Sequence, residues 1–226
     1  MSEIRIATYN VHSCIGVDRR RSPERIAKVI SETNADVVAL QEISAHGDID
    51  QLLFIARETG MHAISGPTRG ISFGNALLTR FPPREVRRHD LSFPGSEPRG
   101  AIDVDLDLDG VVVRVVATHF GLTSRERHHQ IDALSKIVGR PEAPLVLLGD
   151  FNEWFPRSKL FVRMNADGMP RHPRTFPSWC PVFALDRIWA FPSNLVGQLR
   201  AHKSLSARLA SDHLPVVADV SFPGHG

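Results

Sequence analysis

The clearest pattern in the sequence is the alternation of four apolar residues with three aspartates between Ile102 and Leu108. Side chains on a β-strand point alternately to opposite faces, so this pattern predicts a strand with one buried face and one face in water. Asp109-Gly110 is typical of a hairpin turn. It leads into a second predicted strand over Val111 to Ala117.

Short apolar runs between polar or turn-forming residues predict the other strands. Some of these runs are apolar almost throughout, which is typical of strands that are buried on both faces. The runs are Glu3 to Tyr9, Asp36 to Gln41, Ala76 to Thr79, Leu145 to Leu148, Leu185 to Trp189, Val196 to Ala201 and Leu214 to Val220.

Three helices are predicted from their start and stop signals. Ser22-Pro23 supplies an N-cap and a first-turn proline, and apolar residues follow at helical spacing. The pattern over Asp48 to Thr59 predicts a second helix, which ends at Gly60. Thr123 to Glu126 forms a capping box at the start of a third helix, which ends at Gly139.

The order of these elements predicts an α/β fold. Many strands, several of them antiparallel, alternate with helices in the first two-thirds of the chain. Because helix-bearing units recur at the start and in the middle, we expect two sheets packed face to face rather than one doubly wound sheet. At 226 residues we expect a single domain over residues 1–226.

Composition is that of a packed globular protein, with 42% hydrophobic and 23% charged residues. These values exclude disordered and fibrous classes. The formal net charge of +2 gives no strong general field for nucleic acid or an anionic membrane, although it is compatible with a local basic patch. The basic run Arg19-Arg20-Arg21 is usually a solvated surface and less often a contact with an anionic head group or nucleic acid.

Two cysteines, Cys14 and Cys180, do not form a disulfide framework, although one long-range bridge stays open. We expect two buried thiols in a reducing, cytoplasmic location. No apolar stretch approaches the ~20 residues that a membrane-spanning helix needs. Met1 to Tyr9 lacks the charged and apolar regions of a signal peptide.

Candidate chemistry lies where polar residues follow or precede the predicted strands. Hard divalent cations prefer carboxylate and amide oxygens, and a histidine oriented by an aspartate handles protons near neutral pH. Taken singly, each such residue is more often a turn or surface residue. Their coincidence at strand ends indicates a site. The residues are Asn10, His12, Glu42, His119, Asp150, Asn152, Asp186, Asp212 and His213.

Seven short blocks carry a family resemblance and stand in order along the chain. They are Thr8-Tyr-Asn-Val-His12, Leu40-Gln-Glu42, Gly74-Asn-Ala-Leu-Leu78, Thr118-His-Phe120, Gly149-Asp-Phe-Asn152, Leu185-Asp-Arg-Ile188 and Ser211-Asp-His-Leu-Pro215. Together they resemble the endonuclease/exonuclease/phosphatase superfamily, over about Ile4 to Val220. That superfamily includes deoxyribonuclease-type nucleases, abasic-site endonucleases, neutral sphingomyelinases and inositol-polyphosphate phosphatases.

The resemblance implies a four-layered α/β sandwich, in which two packed mixed β-sheets are flanked by helices. It also implies a bound Mg²⁺ or Mn²⁺ ion, with Glu42 as the main ligand and with Asn10, Asp150 and Asp212 beside it. The implied catalytic residues are His213, Asp186, Asp150, Asn152 and His119. The implied contacts to the substrate phosphate are Asn10, Asn75, Arg99, His119 and Asn152, where Asn75 is either such a contact or a residue that supports the contacting residues from behind.

Several points stay open at this stage. His213 is either a general base or a stabiliser of the transition state, and Arg99 is either a phosphate contact or a solvated strand-end residue. Abasic-site endonucleases carry an acid where His12 stands, which argues against that branch. Residues 165–181, with Arg171, Arg174 and Trp179, form either a substrate lip or an ordinary surface loop, and the ordinary loop is favoured.

The expected function is divalent-metal-dependent hydrolysis of a phosphoester, with water attacking phosphorus in line and a phosphodiester favoured as substrate. Nucleic acid, a phospholipid head group and a small phosphodiester all stay open as substrates, and so does the oligomeric state. The alternative is a catalytically silent module on the same fold that binds phosphate, nucleic acid or phospholipid.

Overall fold

Two β-sheets and four α-helices make up the computed structural model, which describes residues 2–45, 50–69, 73–108, 110–139, 143–155 and 171–222. In chain order the elements are β1 Ser2–Asn10, α1 Pro23–Thr33, β2 Val37–Ser44, α2 Gln51–Thr59, β3 His62–Arg69, β4 Phe73–Thr79, β5 Pro83–Asp90, β6 Gly100–Leu108, β7 Val111–His119, α3 Ser124–Val138, β8 Leu145–Asp150, β9 Asp186–Phe191, β10 Arg200–Ala201, α4 Leu205–Ala210 and β11 Val216–Phe222.

Both sheets are mixed. The six-stranded sheet has the order β10-β11-β1-β2-β4-β3, and the five-stranded sheet has the order β5-β6-β7-β8-β9. Within them β1 pairs with β2 and β7 with β8 in parallel, whereas the other strand pairs are antiparallel. Buried side chains from both sheets, such as Ile6, Leu77, Val115 and Ile188, form one core between them.

Helices cover the outer face of each sheet. Apolar side chains of α1, α2 and α4 pack on the six-stranded sheet, and those of α3 pack on the five-stranded sheet. The result is the four-layered α/β sandwich that the sequence predicts. No helix in the described ranges is long and apolar enough to cross a membrane.

The helix caps form as the sequence predicts. Ser22 accepts a hydrogen bond from the Arg25 backbone, and Thr123 and Glu126 make both bonds of the capping box. The second helix starts later than expected, with Asp50 as its N-cap, and the predicted start at Asp48 lies outside the described residues.

Several predicted elements were wrong or missing. Edge strands β3 and β5 and the short helix α4 were not predicted, and the predicted strand over Val196 to Ala201 contains only the two-residue β10. Cys14 is buried as expected, whereas Cys180 is exposed, and both are free thiols.

The aspartate face of β6 also departs from the expectation of a face in water. Asp103 is fully buried, and hydrogen bonds reach its carboxylate from Arg87, Arg114 and His89. Burial alone would raise the pKa of Asp103, but these hydrogen bonds outweigh it and hold that pKa well below its ordinary range. The alternation therefore predicted the two faces of the strand correctly, but not that cationic side chains cover part of the polar face.

Candidate active site

Strand register brings the predicted site residues to one edge of the sandwich. In the five-stranded sheet His119 pairs with Asp150, and Asp150 pairs with Asp186. In the six-stranded sheet Asn10 pairs with Gln41, the residue before Glu42. A cavity of about 340 Å³ lies at this edge, and its lining residues are Asn10, Glu42, Phe73, Glu97, Arg99, His119, Leu122, Asp150, Asn152, Trp154, Phe176, Leu185 and His213.

A β-bulge places Glu42. The register between β2 and β4 shifts between Leu40 and Ile43, and Glu42 within this interval has a φ of 58°. A bulge turns a side chain away from the regular alternation of a strand, and positive φ at a residue other than glycine is typical of functional sites. The backbone thus directs a carboxylate into the cavity at some conformational cost.

Asn10 connects the two carboxylates of the cavity. Its Nδ2 atom donates to Glu42 Oε1 at 3.0 Å and to Asp150 Oδ2 at 3.0 Å. Its Oδ1 atom accepts from the backbone N–H of His12 at 3.1 Å, which fixes the orientation of the amide. Asn10 therefore contacts both carboxylates of the predicted metal site, and metal binding by Asn10 itself stays a prediction.

Glu42 and Asp150 fit a divalent cation by their chemistry. Burial raises the pKa of Glu42, and the negative charge of Asp150 adds to that effect. Two carboxylates that share a single amide donor leave negative charge in a confined space, which Mg²⁺ or Mn²⁺ would neutralise. Carboxylate oxygens are the ligands that both ions prefer.

A second group of possible ligands overlaps this one. One ligand atom from each of Asp150, Asp186 and His213 lies within 4.8 Å of the others. However, His213 Nδ1 donates to Asp186 Oδ2 at 2.8 Å, and Thr175 Oγ1 donates to the same oxygen at 2.5 Å. These two hydrogen bonds to Asp186 Oδ2 orient the imidazole of His213, while Asp186 Oδ1 is buried without a hydrogen-bond partner among the described residues.

His213 carries a stabilised proton. Burial alone would lower its pKa, but the charge and hydrogen bond of Asp186 and the charge of Asp150 outweigh burial and raise the pKa of His213 to about 10. The Nε2 atom lies 3.8 Å from Asp150 Oδ2. The imidazolium thus presents an N–H donor beside the carboxylate that would hold the cation.

His119 is held in its neutral form. Burial, reinforced by the charge of Arg99, lowers the pKa of His119 to about 3. A nitrogen donor faces each ring nitrogen: Arg99 Nη1 lies 3.3 Å from His119 Nδ1, and Asn152 Nδ2 lies 3.1 Å from His119 Nε2. His119 Nε2 also lies 3.7 Å from Asp150 Oδ2. Arg99 itself is buried and lines the cavity, so it is not a solvated strand-end residue.

Hydrogen bonds to neighbouring residues fix the position of Asn152. Its backbone N–H donates to Asp150 Oδ1 at 2.9 Å, and its Nδ2 atom donates to the carbonyl of Phe120 at 2.9 Å. Its φ of 49° is in the left-handed region, as at Glu42. Its Nδ2 atom also lies 3.1 Å from His119 Nε2, so Asp150, Asn152 and His119 are held together.

Two predicted residues do not line the cavity. Asn75 is buried, and its amide donates to the carbonyl of Gly100, so it connects the two sheets behind the cavity lining. Asp212 is half-exposed, with Oδ1 3.8 Å from His12 Nδ1. The roles expected for these two residues stay predictions.

Aromatic residues form one wall of the cavity, and sequence reasoning missed them. Trp154 makes edge-on contacts with Phe176 and Phe183, at ring distances of 5.7 and 4.7 Å. The ring of Phe176 lies 4.9 Å from that of His213. Within the expected lip, Phe176 lines the cavity and Trp179 does not. The position of Trp154, two residues after Asn152, was the available signal.

Arg171 and Arg174 are also absent from the cavity lining, and both are exposed. Their exposed positions are those expected for an ordinary surface loop, which is the interpretation that the sequence favours. Residues 165–170 of the expected lip lie outside the described residues.

A two-sheet sandwich with carboxylates, amides and histidines converging at one edge defines the phosphoesterase class of α/β sandwiches. Within that class, the model of the Endonuclease/Exonuclease/phosphatase family matches residues 7–213, and the chain belongs to this family. Its members are generally hydrolytic phosphoesterases that depend on a divalent metal ion.

Comparisons with individual proteins agree with this assignment. The YbhP protein of Escherichia coli K12 is 27% identical over 247 aligned residues, which cover 96% of this chain and 95% of YbhP. A Beutenbergia cavernae protein of the same family has a similar structure, with a TM-score of 0.80 at 23% identity, covering 98% of this chain and 72% of that one. A mannosyl-6-phosphatase of Bacteroides thetaiotaomicron has a TM-score of 0.76 at 19% identity, covering 97% of this chain and 100% of that one. The structural likenesses show the shared fold.

Proposed function

We propose that this chain is a divalent-metal-dependent phosphoester hydrolase that favours phosphodiesters, with water attacking phosphorus opposite the leaving oxygen. The observation that carries the proposal is the convergence of two carboxylates and two oppositely tuned histidines on one cavity. A phosphoryl group in this cavity would meet N–H donors on one side and a cation site on the other.

Glu42 and Asp150 would hold Mg²⁺ or Mn²⁺, which when bound supplies positive charge to polarise a phosphoryl oxygen. Asn10 keeps the two carboxylates at a fixed separation through its two hydrogen bonds. Asn10 would thus position the two carboxylates. Each carboxylate would bind the ion through oxygen lone pairs that do not accept from Asn10.

The histidines act on the phosphoryl oxygens. His213, cationic and oriented by Asp186, donates from Nε2 to the oxygen on which charge develops, which supports transition-state stabilisation rather than general base catalysis. His119 is a neutral group that Arg99 and Asn152 hold in place at the same cavity. Asn152 lines the same wall of the cavity and orients the phosphate.

The aromatic wall of the cavity favours one class of phosphoester substrate. Phe176 and Trp154 form an apolar wall, which suits a phosphoester with an apolar or planar substituent more than inorganic or highly charged phosphates. The mannosyl-6-phosphatase neighbour shows that a monoesterase can have this fold. We place the protein in the cytoplasm, in keeping with free Cys14 and Cys180 thiols.

The test uses the purified full chain with bis(4-nitrophenyl) phosphate and Mg²⁺ or Mn²⁺, and then with 4-nitrophenyl phosphate. We expect hydrolysis that EDTA abolishes and added metal restores, with the diester cleaved faster. His213→Ala and Asp150→Ala should each reduce the rate by about 10²-fold or more. Control variants His62→Ala and Asp132→Ala change exposed residues outside the cavity and should keep full activity.

Near-wild-type rates in both His213→Ala and Asp150→Ala would contradict the proposed mechanism. Calorimetric Mg²⁺ binding without hydrolysis of any diester or monoester would instead favour the alternative of a catalytically silent module that binds phosphate, nucleic acid or phospholipid.

A further inference from the structure

Four exposed apolar side chains lie on three segments of the chain: the loop before α1, the loop before β9, and α4. Val17, Trp179, Leu205 and Leu209 are 44%, 67%, 87% and 40% exposed, respectively. Scattered exposed apolar residues are ordinary, but a cluster of them on neighbouring segments is typical of an interaction surface. We call the surface made by these four residues and the basic residues around them the α4 face.

Hydrogen bonds join the three segments that contribute these side chains. The Val17 backbone donates to the carbonyl of Leu209 at 3.1 Å. Arg208 Nη1 donates to the carbonyl of Trp179 at 3.1 Å. Leu205 and Leu209 are four residues apart on α4 and so share one side of that helix. The apolar residues therefore belong to one continuous and fixed part of the surface.

Positive charge surrounds this apolar cluster. Arg19, Arg20, Arg21 and Lys203 are all exposed, and no ion pair to a carboxylate is recorded for them within the described ranges. Two of the nearby acids are already paired, and a third is not. Asp18 accepts two hydrogen bonds from Arg25, at 3.0 and 2.8 Å. Glu24 is exposed in the first turn of α1, accepts from the Ser22 hydroxyl and offsets one of the four positive charges.

Glu32, the second paired acid, accepts hydrogen bonds from His202 and Ser204. The four cations thus leave net positive charge on the α4 face after Glu24 offsets one of them, although the whole chain carries only +2. A partner of opposite charge is the physical complement of such a surface.

We propose that the α4 face docks on the surface of an anionic lipid bilayer. Arginines attract anionic head groups, while the leucines and the amphipathic indole of Trp179 enter the interface between head groups and acyl chains. A nucleic acid would use the arginines but would gain little from exposed Leu205 and Leu209, which makes a bilayer the better complement.

The α4 face also adjoins the candidate active site. Ser178, next to Trp179, donates its backbone N–H to the carbonyl of Asp212 at 2.7 Å, and His213 follows Asp212. Phe176, three residues before Trp179, lines the cavity. A bilayer bound at this face would therefore contact a segment that also contributes to the cavity lining. Docking itself does not depend on the proposed hydrolysis.

The test measures co-sedimentation of the full chain with vesicles of phosphatidylglycerol and phosphatidylcholine at 1:1, and with vesicles of phosphatidylcholine alone, without metal and in about 0.1 M NaCl. We expect binding to the anionic vesicles and much weaker binding to the neutral ones. Replacing Arg19, Arg20 and Arg21 together by Gln should weaken binding by about 10²-fold. Leu205→Ser and Trp179→Ser should each weaken it by about tenfold.

Matched variants control for general charge and exposure. Replacing Arg57, Arg80 and Arg125 together by Gln removes the same charge from other exposed sites, and Leu53→Ser removes an apolar side chain that is 62% exposed on α2. Both should bind anionic vesicles as the unmodified chain does.

The proposal is overturned if the chain ignores anionic vesicles or if both arginine triples lose binding equally. It is also overturned if duplex DNA or RNA binds more tightly than the vesicles and this binding falls in the Arg19/Arg20/Arg21 variant but not in Leu205→Ser. Because these assays need no catalysis, an inactive but vesicle-binding chain would count against the proposed function and in favour of docking.

Discussion

His213 Nδ1 donates a hydrogen bond to Asp186 Oδ2 across 2.8 Å, and the side chains are only 7% and 0% exposed. The two residues are 27 positions apart in the chain, and the start of β9 and the approach to β11 bring them together. The carboxylate fixes the orientation of the imidazole ring and favours its charged form.

Asp186→Asn is expected to lower kcat for diester hydrolysis by about 10²-fold with little change in KM. The amide is the same size but removes the charge that orients and stabilises His213. Steady-state kinetics with the aryl diester measure the effect. Thr175→Val, which removes only the hydroxyl that donates to Asp186, should cost less. Equal losses in kcat for the two variants would show that packing, rather than charge, determines the effect.

Asn10→Ala is expected to raise the Mg²⁺ concentration for half-maximal activity by about 10- to 100-fold, because outer groups that hold ligands in place contribute that much to metal affinity. The variant removes the amide that holds Glu42 and Asp150 together. Metal titrations of activity and calorimetric Mg²⁺ binding both measure the change.

His12→Ala serves as the control for Asn10→Ala. The backbone N–H of His12, and not its side chain, donates to Asn10 Oδ1, so this variant should keep the metal requirement of the unmodified chain. An unchanged metal requirement in Asn10→Ala would mean that the two carboxylates hold their positions without this amide. The coupling proposed for the site would then be wrong.

The sequence predicted the parts of the fold that obey local rules. Capping at Ser22 and Thr123, the apolar runs of β1 and β8, and the polar residues after them all reflect short-range preferences. Strands β3 and β5 escaped prediction because they are edge strands, where a single neighbour and wide solvent exposure remove the need for a regular apolar pattern.

The site was predictable in its residue types but not in its geometry. The bulge at Glu42 depends on how β2 pairs with β4, which no local pattern reveals. The amide orientation of Asn10 depends on the backbone of His12, and the inward position of Asn75 depends on contact between two sheets. Such features arise from long-range packing, so the sequence predicts the residue types of the site but not the hydrogen-bond partners of Asn10 and Asn75.

The buried Asp103 cluster predicts a loss of stability in acid. The folded-state pKa of Asp103 lies below the unfolded value of about 3.9, so its ionised form stabilises the fold fully above that value. That stabilisation is lost as pH falls from about 4 through the folded-state pKa. Urea titrations at several pH values should show the free energy of unfolding falling more steeply in the unmodified chain than in Asp103→Asn.

At neutral pH the Asp103→Asn variant is expected to lose about 2–3 kcal/mol of stability, because Arg87 and Arg114 keep their charge without the carboxylate between them. Asp107→Asn is the matched control, since Asp107 pairs with Arg84 at an exposed position and should have little effect. Parallel acid profiles for the Asp103→Asn variant and the unmodified chain would contradict the argument.

Gly149 is expected to tolerate no side chain, because its φ of +152° is rare for other residues and a Cβ there would overlap the carbonyl oxygen of Thr118. The obstacle is the backbone of the neighbouring strand β7, which cannot move without breaking its pairing with β8. Gly149→Ala should therefore cost about 3 kcal/mol or more of folding stability and displace Asp150, so that activity falls even where the chain still folds.

Gly95→Ala is the control that separates backbone strain from steric overlap, because the φ of Gly95 is +79° but nothing lies within 4 Å of the added Cβ. Chemical denaturation of both variants should show a loss of about 1 kcal/mol for Gly95→Ala. Similar losses in the two variants would mean that conformational strain alone, and not the contact with Thr118, makes glycine necessary beside Asp150.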